Sequence, residues 1–477
     1  VAYQVGVLPR TFAVEEDRSV SQDNGTNGLR VAIVGSGPAG VYAADALLKQ
    51  ADTVGGVEVD ILDRLPAPYG LVRYGVAPDH LKIKSIALAL KKVFEKPGVR
   101  FIGNIELGRD VSVEELQQTY DAVIIASGAA VDRRLGIDGE DLPGSFSATD
   151  FVAWYSGHPD AALDAFTLGA HSVVVVGVGN VAVDVARILA KTVDELKHTD
   201  LPDHVLDVLD ASTVTDIYML GRRGPVQAKF TTKELRELGE LADADVIVHA
   251  DELQLDAASE EALASDRALR QNLDVLREFS TREPEGKSRR IHLRFLVRPV
   301  EILGADAVTG VTIERTALDG SGGAKGTGET FDIDAQMVLR SVGYKGIPLP
   351  GLPFDERNGV VPHDAGRVMQ DGVQVPGLYV AGWIKRGPTG VVGTNKGDAT
   401  ETVASLLADA DKLPRATERD PQALLDQLAG KGCKVVLWEG WCAIDEAEMA
   451  LGRAQGRDRV KIAELEAMLI ASGWRED

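Results

Sequence analysis

The stretch Val31-Ala-Ile-Val-Gly35-Ser-Gly37-Pro-Ala-Gly40 decides the fold. Its four leading apolar residues read as a buried strand, and the glycines lead into a helix expected over Ala39–Lys49. A second strand over Val57–Leu62 completes a βαβ unit and delivers Asp63, 28 residues from Gly35. Gly35 permits the tight turn, Gly37 lets backbone approach a pyrophosphate at the helix N-terminus, and Gly40 lets helix and strand pack closely. Asp63 is expected to accept hydrogen bonds from ribose hydroxyls. A glycine run alone is a weak signal; strand, turn, helix and acid in this order point to a dinucleotide.

The same pattern returns about 140 residues later, with a strand at Ser172–Val176, a helix at Val181–Lys191 and a strand at Ile217–Leu220. Its turn is Gly177-Val-Gly179-Asn180-Val181-Ala182, and the next strand ends in Gly221-Arg222-Arg223 where the first unit has an acid. A carboxylate there repels a 2′-phosphate, whereas paired guanidinium groups bind one, so the second site is expected to select NADP over NAD.

Two such units imply an α/β chain with two Rossmann-like dinucleotide-binding domains. Tyr120–Ala126 reads as a strand leaving the first domain, and Met337–Tyr344 as the return to it. The second domain is therefore expected to be inserted into the first: residues 29–131 and 345–477 bind one dinucleotide, 132–344 the other, and 1–28 form an N-terminal extension. By that order the first site is expected to keep FAD and the second to exchange NADPH. A strand at Leu378–Ala381 leads through Trp383 to a helix expected from Gly390 to Leu407, whose exposed N–H groups are suited to the negative charge of a reduced flavin. Ala257–Arg270 reads as helical and Arg282–Arg290 as a loop, while Trp438 and Trp441 read as packing anchors.

The formal charge of −22 argues against a nucleic-acid binder. No apolar run approaches the roughly 20 residues of a membrane span, and the acidic first 28 residues carry no signal-peptide core. The chain's only cysteines, Cys433 and Cys442, form no Cys-x-x-Cys pair, which fits a reducing cytoplasm. No metal site is expected.

Four segments carry a family resemblance: Tyr69-Gly-Leu-Val-Arg-Tyr-Gly-Val-Ala-Pro-Asp-His80, Gly221-Arg-Arg-Gly-Pro-Val-Gln, Phe230-Thr-Thr-Lys-Glu-Leu-Arg-Glu-Leu238 and Gly382-Trp-Ile-Lys-Arg-Gly-Pro-Thr-Gly390. In these, and in their order, the chain resembles the adrenodoxin-reductase-like ferredoxin–NADP reductases, including actinobacterial members. The resemblance implies FAD contacts at Ala39, Asp63, Leu71, Leu107, Trp383 and Gly390, Val391 and Val392. It implies NADP contacts at Arg133, Gly179, Asn180, Val181, Arg222, Arg223, Glu234 and Gly390. His80 and Glu237 become an active-site pair that orients groups and tunes charge, since hydride transfer needs no proton donor on carbon. Leu81 stands where the family commonly has proline, and Asp63 where glutamate is common.

The resemblance further implies an acidic, transient iron–sulfur ferredoxin as partner, a monomer, and no nucleic acid or membrane. Such a partner needs a local basic face, for which Lys82, Lys84, Lys91 and Lys92, or Arg282, Lys287, Arg289, Arg290, Arg294 and Arg298, are candidates. A disulfide reductase of this fold needs a redox-active cysteine pair, which the chain lacks. An NADPH-dependent flavin monooxygenase and a non-catalytic flavin redox sensor remain as alternatives.

Overall fold

The computed structural model describes residues 28–474, so the expected extension lies outside the described residues except for Gly28. Two parallel sheets organise the chain. In the first, β1 (Leu29–Val34) lies between β2 (Val57–Asp63) and β4 (Ala122–Ile125), with β3 (Val99–Gly103) beyond β2. Val373–Val380 adds to β4 in parallel, and Arg367–Gln370 and His363–Asp364 extend that edge antiparallel. The second sheet is parallel throughout, in the order Ser145–Ser147, Met337–Arg340, Ser172–Val176, Asp216–Gly221, Arg289–Phe295, Ala244–Val248. The first sheet thus takes its strands from both ends of the chain and the second from the middle, which is the inserted two-Rossmann arrangement.

Both sheets are covered on two faces, as their nearly continuous apolar strands require. Val31 and Ile33 point into one core with helix α1 (Pro38–Lys49), while Ala32, Leu62 and Ile102 point into the core on the opposite face. Trp441 packs edge-to-face on Tyr69 at 5.8 Å and Trp438 stacks on Phe94 at 4.9 Å, so both tryptophans are packing anchors. An antiparallel three-stranded sheet, Val297–Leu303, Gly310–Leu318 and Ala324–Asp334, caps the inserted half. Where the two halves join, Val131–Asp132 and Tyr344–Lys345 run side by side as an antiparallel pair.

Three local expectations change. The helix expected from Ala257 to Arg270 breaks at Asp266, whose carboxylate accepts from the N–H groups of Ala268 and Leu269 and starts a new helix, Arg267–Thr281. Arg289 and Arg290 are strand residues rather than loop, because Arg290 forms a bidentate pair with Asp216 on the neighbouring strand. The helix expected from Gly390 begins at Thr394: Gly390 has φ 81°, outside helical geometry, and Thr394 Oγ1 accepts from Val391 N–H in the turn before it.

The first glycine turn depends on two contacts that no other residue permits. Gly35 has φ 115°, and a Cβ on Gly40 would lie 2.0 Å from the Gly35 carbonyl oxygen and 3.1 Å from Ile33 Cγ2. Gly40→Ala should therefore force α1 off β1 and destabilise the protein by about 1–3 kcal/mol. Urea unfolding is the measurement; an unchanged midpoint would show that the turn yields without cost.

Candidate functional site

At the first turn Gly37 caps α1 with extended backbone (φ −69°, ψ 177°) and no side-chain cap. Some other helices are capped by side-chain oxygens, those of Ser112, Ser147, Thr192, Thr231, Asp256 and Asp266, while others, such as Asp203–Asp210 and Trp438–Ala454, lack one as α1 does. With no side-chain cap, the first-turn N–H groups of α1 can meet an external acceptor. The cradle is tight: a Cβ on Gly70 would lie 3.0 Å from Gly37 Cα, and Tyr69 N–H donates to Ser36 O at 3.1 Å. Asp63 closes the turn, accepting from Ser36 N–H (2.9 Å), Ser36 Oγ–H (2.5 Å) and Leu65 N–H (2.9 Å). Burial raises its carboxyl pKa against these hydrogen bonds. The carboxylate keeps further acceptor capacity for a hydroxyl.

Ala39 meets Gly382 across this turn, where a Cβ on the glycine would approach Ala39 Cβ to 2.6 Å. The contact brings in Trp383, whose Nε1–H donates to Thr389 O at 3.2 Å and whose ring lies 5.5 Å from that of Tyr344. Leu71 is exposed beside Gly70, and Gly390 and Val391 are exposed before the Thr394 helix. Leu107 is buried, in the core on the sheet face opposite α1. Asp398, which the sequence did not single out, accepts from Gly382 N–H at 2.5 Å and pairs with buried Lys385 at 3.1 Å. A glycine cradle closed by an acid, with unspent N–H donors and an exposed rim, fits a flavin dinucleotide.

The second turn repeats the construction. Gly177 has φ 141°, and Gly179 starts the Asn180–Ala190 helix without a side-chain cap or a first-turn acid. Asn180 Oδ1 accepts from Thr231 N–H at 2.8 Å, and the Thr231 hydroxyl donates to buried Glu234. Val181 is half-buried against the core of the inserted half. Arg222 is exposed, and Arg223 donates only to Gly322 O, at 3.3 Å. Among the described residues neither has a carboxylate partner, which suits a phosphate. Arg133 is exposed, its Nε–H donating to Tyr344 O at 3.3 Å.

Between the halves, His80 Nε2 lies 3.1 Å from Glu237 Oε2, although 157 residues separate them in sequence. The group that joins them is Arg187, only 1% exposed and unmarked in the sequence reading. Its Nη1 reaches His80 Nε2 at 2.5 Å and Glu237 Oε2 at 2.8 Å, and its Nη2 donates to Asp79 (3.0 Å) and Asp184 (2.8 Å). Lys191 and Lys233 complete the cluster through Asp79 and Glu237 at 2.7 and 3.0 Å. The available signal was an arginine inside the apolar run Val181–Ala190, because arginine is rarely buried unless paired.

The Arg187 guanidinium can only donate to His80 Nε2 and the Glu237 carboxylate can only accept from it, so the two contacts on that nitrogen call for opposite tautomers; Nδ1 lies 3.8 Å from Asp184 Oδ1. Burial, and next the Arg187 charge, hold the His80 pKa below its ordinary value, so the ring is neutral. Burial, offset only in part by Arg187, pushes Asp184 up to about 7. Asp79 stays below its ordinary value because Arg187 and Lys191 outweigh its burial, and Glu237 does so through Lys233, His80 and Arg187. A cleft of about 210 Å³ opens on Asp79, His80, Arg187, Lys191 and Glu237.

The profile of the pyridine nucleotide-disulphide oxidoreductases matches residues 29–230. The chain is 47% identical to the NADPH-ferredoxin reductase FprA of Mycobacterium tuberculosis, over 92% of this chain and 98% of that protein. It is 41% identical to the mitochondrial NADPH:adrenodoxin oxidoreductase of Arabidopsis thaliana, over 93% and 95% respectively. The solved structure of Mycobacterium tuberculosis FprA in complex with NADPH superposes with a TM-score of 0.87 at 46% identity, covering 94% of this chain and all of that one.

Arg187→Met should cost about 3–5 kcal/mol, because three carboxylates lose a buried counter-charge. It should also raise the His80 midpoint, which in the unmodified chain lies below the ordinary value of about 6.5. Since folding lowers that pKa, the stability linked to His80 is intact above about 6.5 and is lost as pH falls through the folded value. Nitrogen NMR titration of the imidazole with urea unfolding measures both; an unmoved midpoint would clear the guanidinium as a cause.

Proposed function

The chain belongs to the adrenodoxin-reductase-like NADPH–ferredoxin reductases, and we propose that it oxidises NADPH through FAD and passes the electrons singly to an iron–sulfur ferredoxin. The observation that carries this reading is the pair of glycine cradles with unlike strand ends, Asp63 at one and Arg222–Arg223 at the other. Bound FAD supplies the exchange between two-electron and one-electron chemistry. The chain's own residues bind and orient. The Gly35–Gly40 turn, Asp63, Trp383 and Gly390–Val392 hold the flavin dinucleotide, and Gly179–Val181 with Arg222 and Arg223 hold the exchangeable one by its phosphates. Neutral His80 and ionised Glu237 set the charge where the two meet.

A disulfide reductase is not supported. Cys433 packs against one face of the first sheet and Cys442 against the other, so they cannot act as a pair. A monooxygenase would show NADPH oxidation that requires an organic substrate and oxygen, and a sensor would bind both dinucleotides without bleaching.

The partner is read as an acidic, transiently bound ferredoxin, and the protein as a cytoplasmic monomer. Among the described residues no helix is long and apolar enough to cross a membrane. Of the candidate basic faces, Arg282, Lys287, Arg290, Arg294 and Arg298 are paired with Glu278, Glu285, Asp216, Glu252 and Glu314, and Arg289 donates to main-chain carbonyls. Lys84 and Lys91 are paired with Asp200 and Glu95. Exposed Lys82 and Lys92 have no carboxylate partner among the described residues and sit beside exposed Leu81 and Leu88, which favours that face.

Anaerobic titration should bleach the yellow protein with NADPH and restore colour on adding ferredoxin. Replacing Arg222 and Arg223 together by alanine should weaken NADPH by about 10²-fold or more while sparing NADH. Equal loss for both nucleotides would overturn the phosphate assignment. Ferredoxin reduction should also slow steeply with added salt, and Lys82→Gln with Lys92→Gln should flatten that dependence; salt indifference in the unmodified chain would exclude an ionic docking face.

A further inference from the structure

A second buried ionic cluster joins the two halves away from the cofactor turns. Asp200, in a loop of the inserted half, lies 2.8 Å from Lys84 Nζ and 3.2 Å from Lys461 Nζ, both on the flavin half. Lys461 is 4% exposed, and it also donates to Arg73 O at 2.9 Å and to Ser156 O at 3.0 Å, one carbonyl from each half. Arg457, four residues earlier, donates to Thr199 O at 2.9 Å and to Asp203 Oδ1 at 2.9 Å, and its guanidinium also reaches Leu201 O. The loop from Thr199 to Asp203 is therefore gripped by three cations of the other half.

Lys84 links this grip to the reaction site. It ends the short helix Leu81–Lys84, whose N-cap is His80, and Lys84 N–H donates to His80 O at 3.0 Å. One helical turn is thus fastened to the inserted half at both ends, at His80 by Arg187 and Glu237 and at Lys84 by Asp200. Ion pairs this deep recover their desolvation cost only with good geometry, so they define one arrangement more sharply than an apolar contact, which tolerates sliding.

We propose that Asp200 is a positioning residue: through Lys84 and Lys461 it sets the placement of His80, and with it the docking of the nicotinamide half against the flavin half. The proposal rests on the hydride-transfer reading above for its kinetic arm only. Asp200→Asn keeps the shape and removes the charge; Lys84→Gln breaks one arm, and Lys84→Arg keeps it.

The full-length, FAD-loaded chain is mixed anaerobically with NADPH in a stopped flow, and the His80 imidazole nitrogen shifts are recorded separately, assigned with His80→Gln. Asp200→Asn and Lys84→Gln should lower the limiting rate of flavin bleaching by about tenfold or more, since a displacement of about 1 Å is enough for losses of that order. The NADPH dissociation constant should stay within about twofold, because neither residue lies at a dinucleotide turn. The His80 shifts should move in both variants, and Lys84→Arg should restore both readouts. Unaltered bleaching and unaltered His80 shifts would overturn the proposal even if thermal stability fell, leaving the cluster a purely structural clasp. If Asp200→Asn does not load FAD, Lys84→Gln gives the same decision. Should the unmodified chain fail to bleach with NADPH, the functional reading falls, and the His80 shifts still decide the positioning.

Discussion

The Arg187 guanidinium is the interaction on which the arrangement of the two halves turns. It is 1% exposed and reaches Asp79 and His80 on the flavin half, and Asp184 and Glu237 on its own. A planar donor that cannot shed its proton is costly to bury unpaired, and here both Nη atoms are matched while Nε–H has no hydrogen-bond partner among the described residues. Its charge helps keep Asp79 and Glu237 ionised around it. The low-dielectric surroundings that make the cluster costly to bury also make its geometry costly to change.

The two dinucleotide turns answer one physical problem twice. In each, a glycine in left-handed or otherwise positive-φ geometry, Gly35 at 115° and Gly177 at 141°, folds a parallel strand directly into a helix that has no side-chain cap. What distinguishes them is the end of the next strand. Asp63 is drawn into its own turn by Ser36 and Leu65, whereas Arg222 and Arg223 remain without carboxylate partners among the described residues. One end can accept from hydroxyls and the other can receive a phosphate, so charge at equivalent positions on one scaffold distinguishes the two ends.

Features set by neighbouring residues were legible in the sequence. The glycine turns, the strands on either side and the return at Met337 all rest on backbone sterics or apolar patterning within a short window. Arg187 and Asp200 were not, because their meaning lies in partners far along the chain: 107 residues separate Arg187 from His80, and 116 separate Asp200 from Lys84. Their own surroundings give only a charged residue in a helix and an acid in a loop. The misread ends have local causes that composition hides. Asp266 competes for the backbone as a cap, Arg290 is strand because Asp216 faces it, and positive φ at Gly390 delays the helix to Thr394. The His80–Glu237 pair came from family resemblance, since no periodicity links two residues on different halves.

The connection between the halves explains why ionic contacts gather there. The chain crosses twice, and the two crossings pair as a ribbon only two residues long on each side, Val131–Asp132 with Tyr344–Lys345. A ribbon so short has little resistance to twist by itself. It keeps the halves adjacent without fixing the angle between them. That angle has to come from contacts away from the ribbon, and beside the ring contacts of Tyr74 with His158 and of Trp383 with Tyr344 these include directional ones: His80 with Arg187 and Glu237, Asp200 with Lys84 and Lys461, and Arg64 with Asp160 at 2.6 Å. A continuous apolar interface would hold the halves together more cheaply and let them slide, whereas spaced ion pairs fail together when the angle changes. The ion pairs in the seam between the halves therefore add orientation to whatever cohesion its packed rings supply.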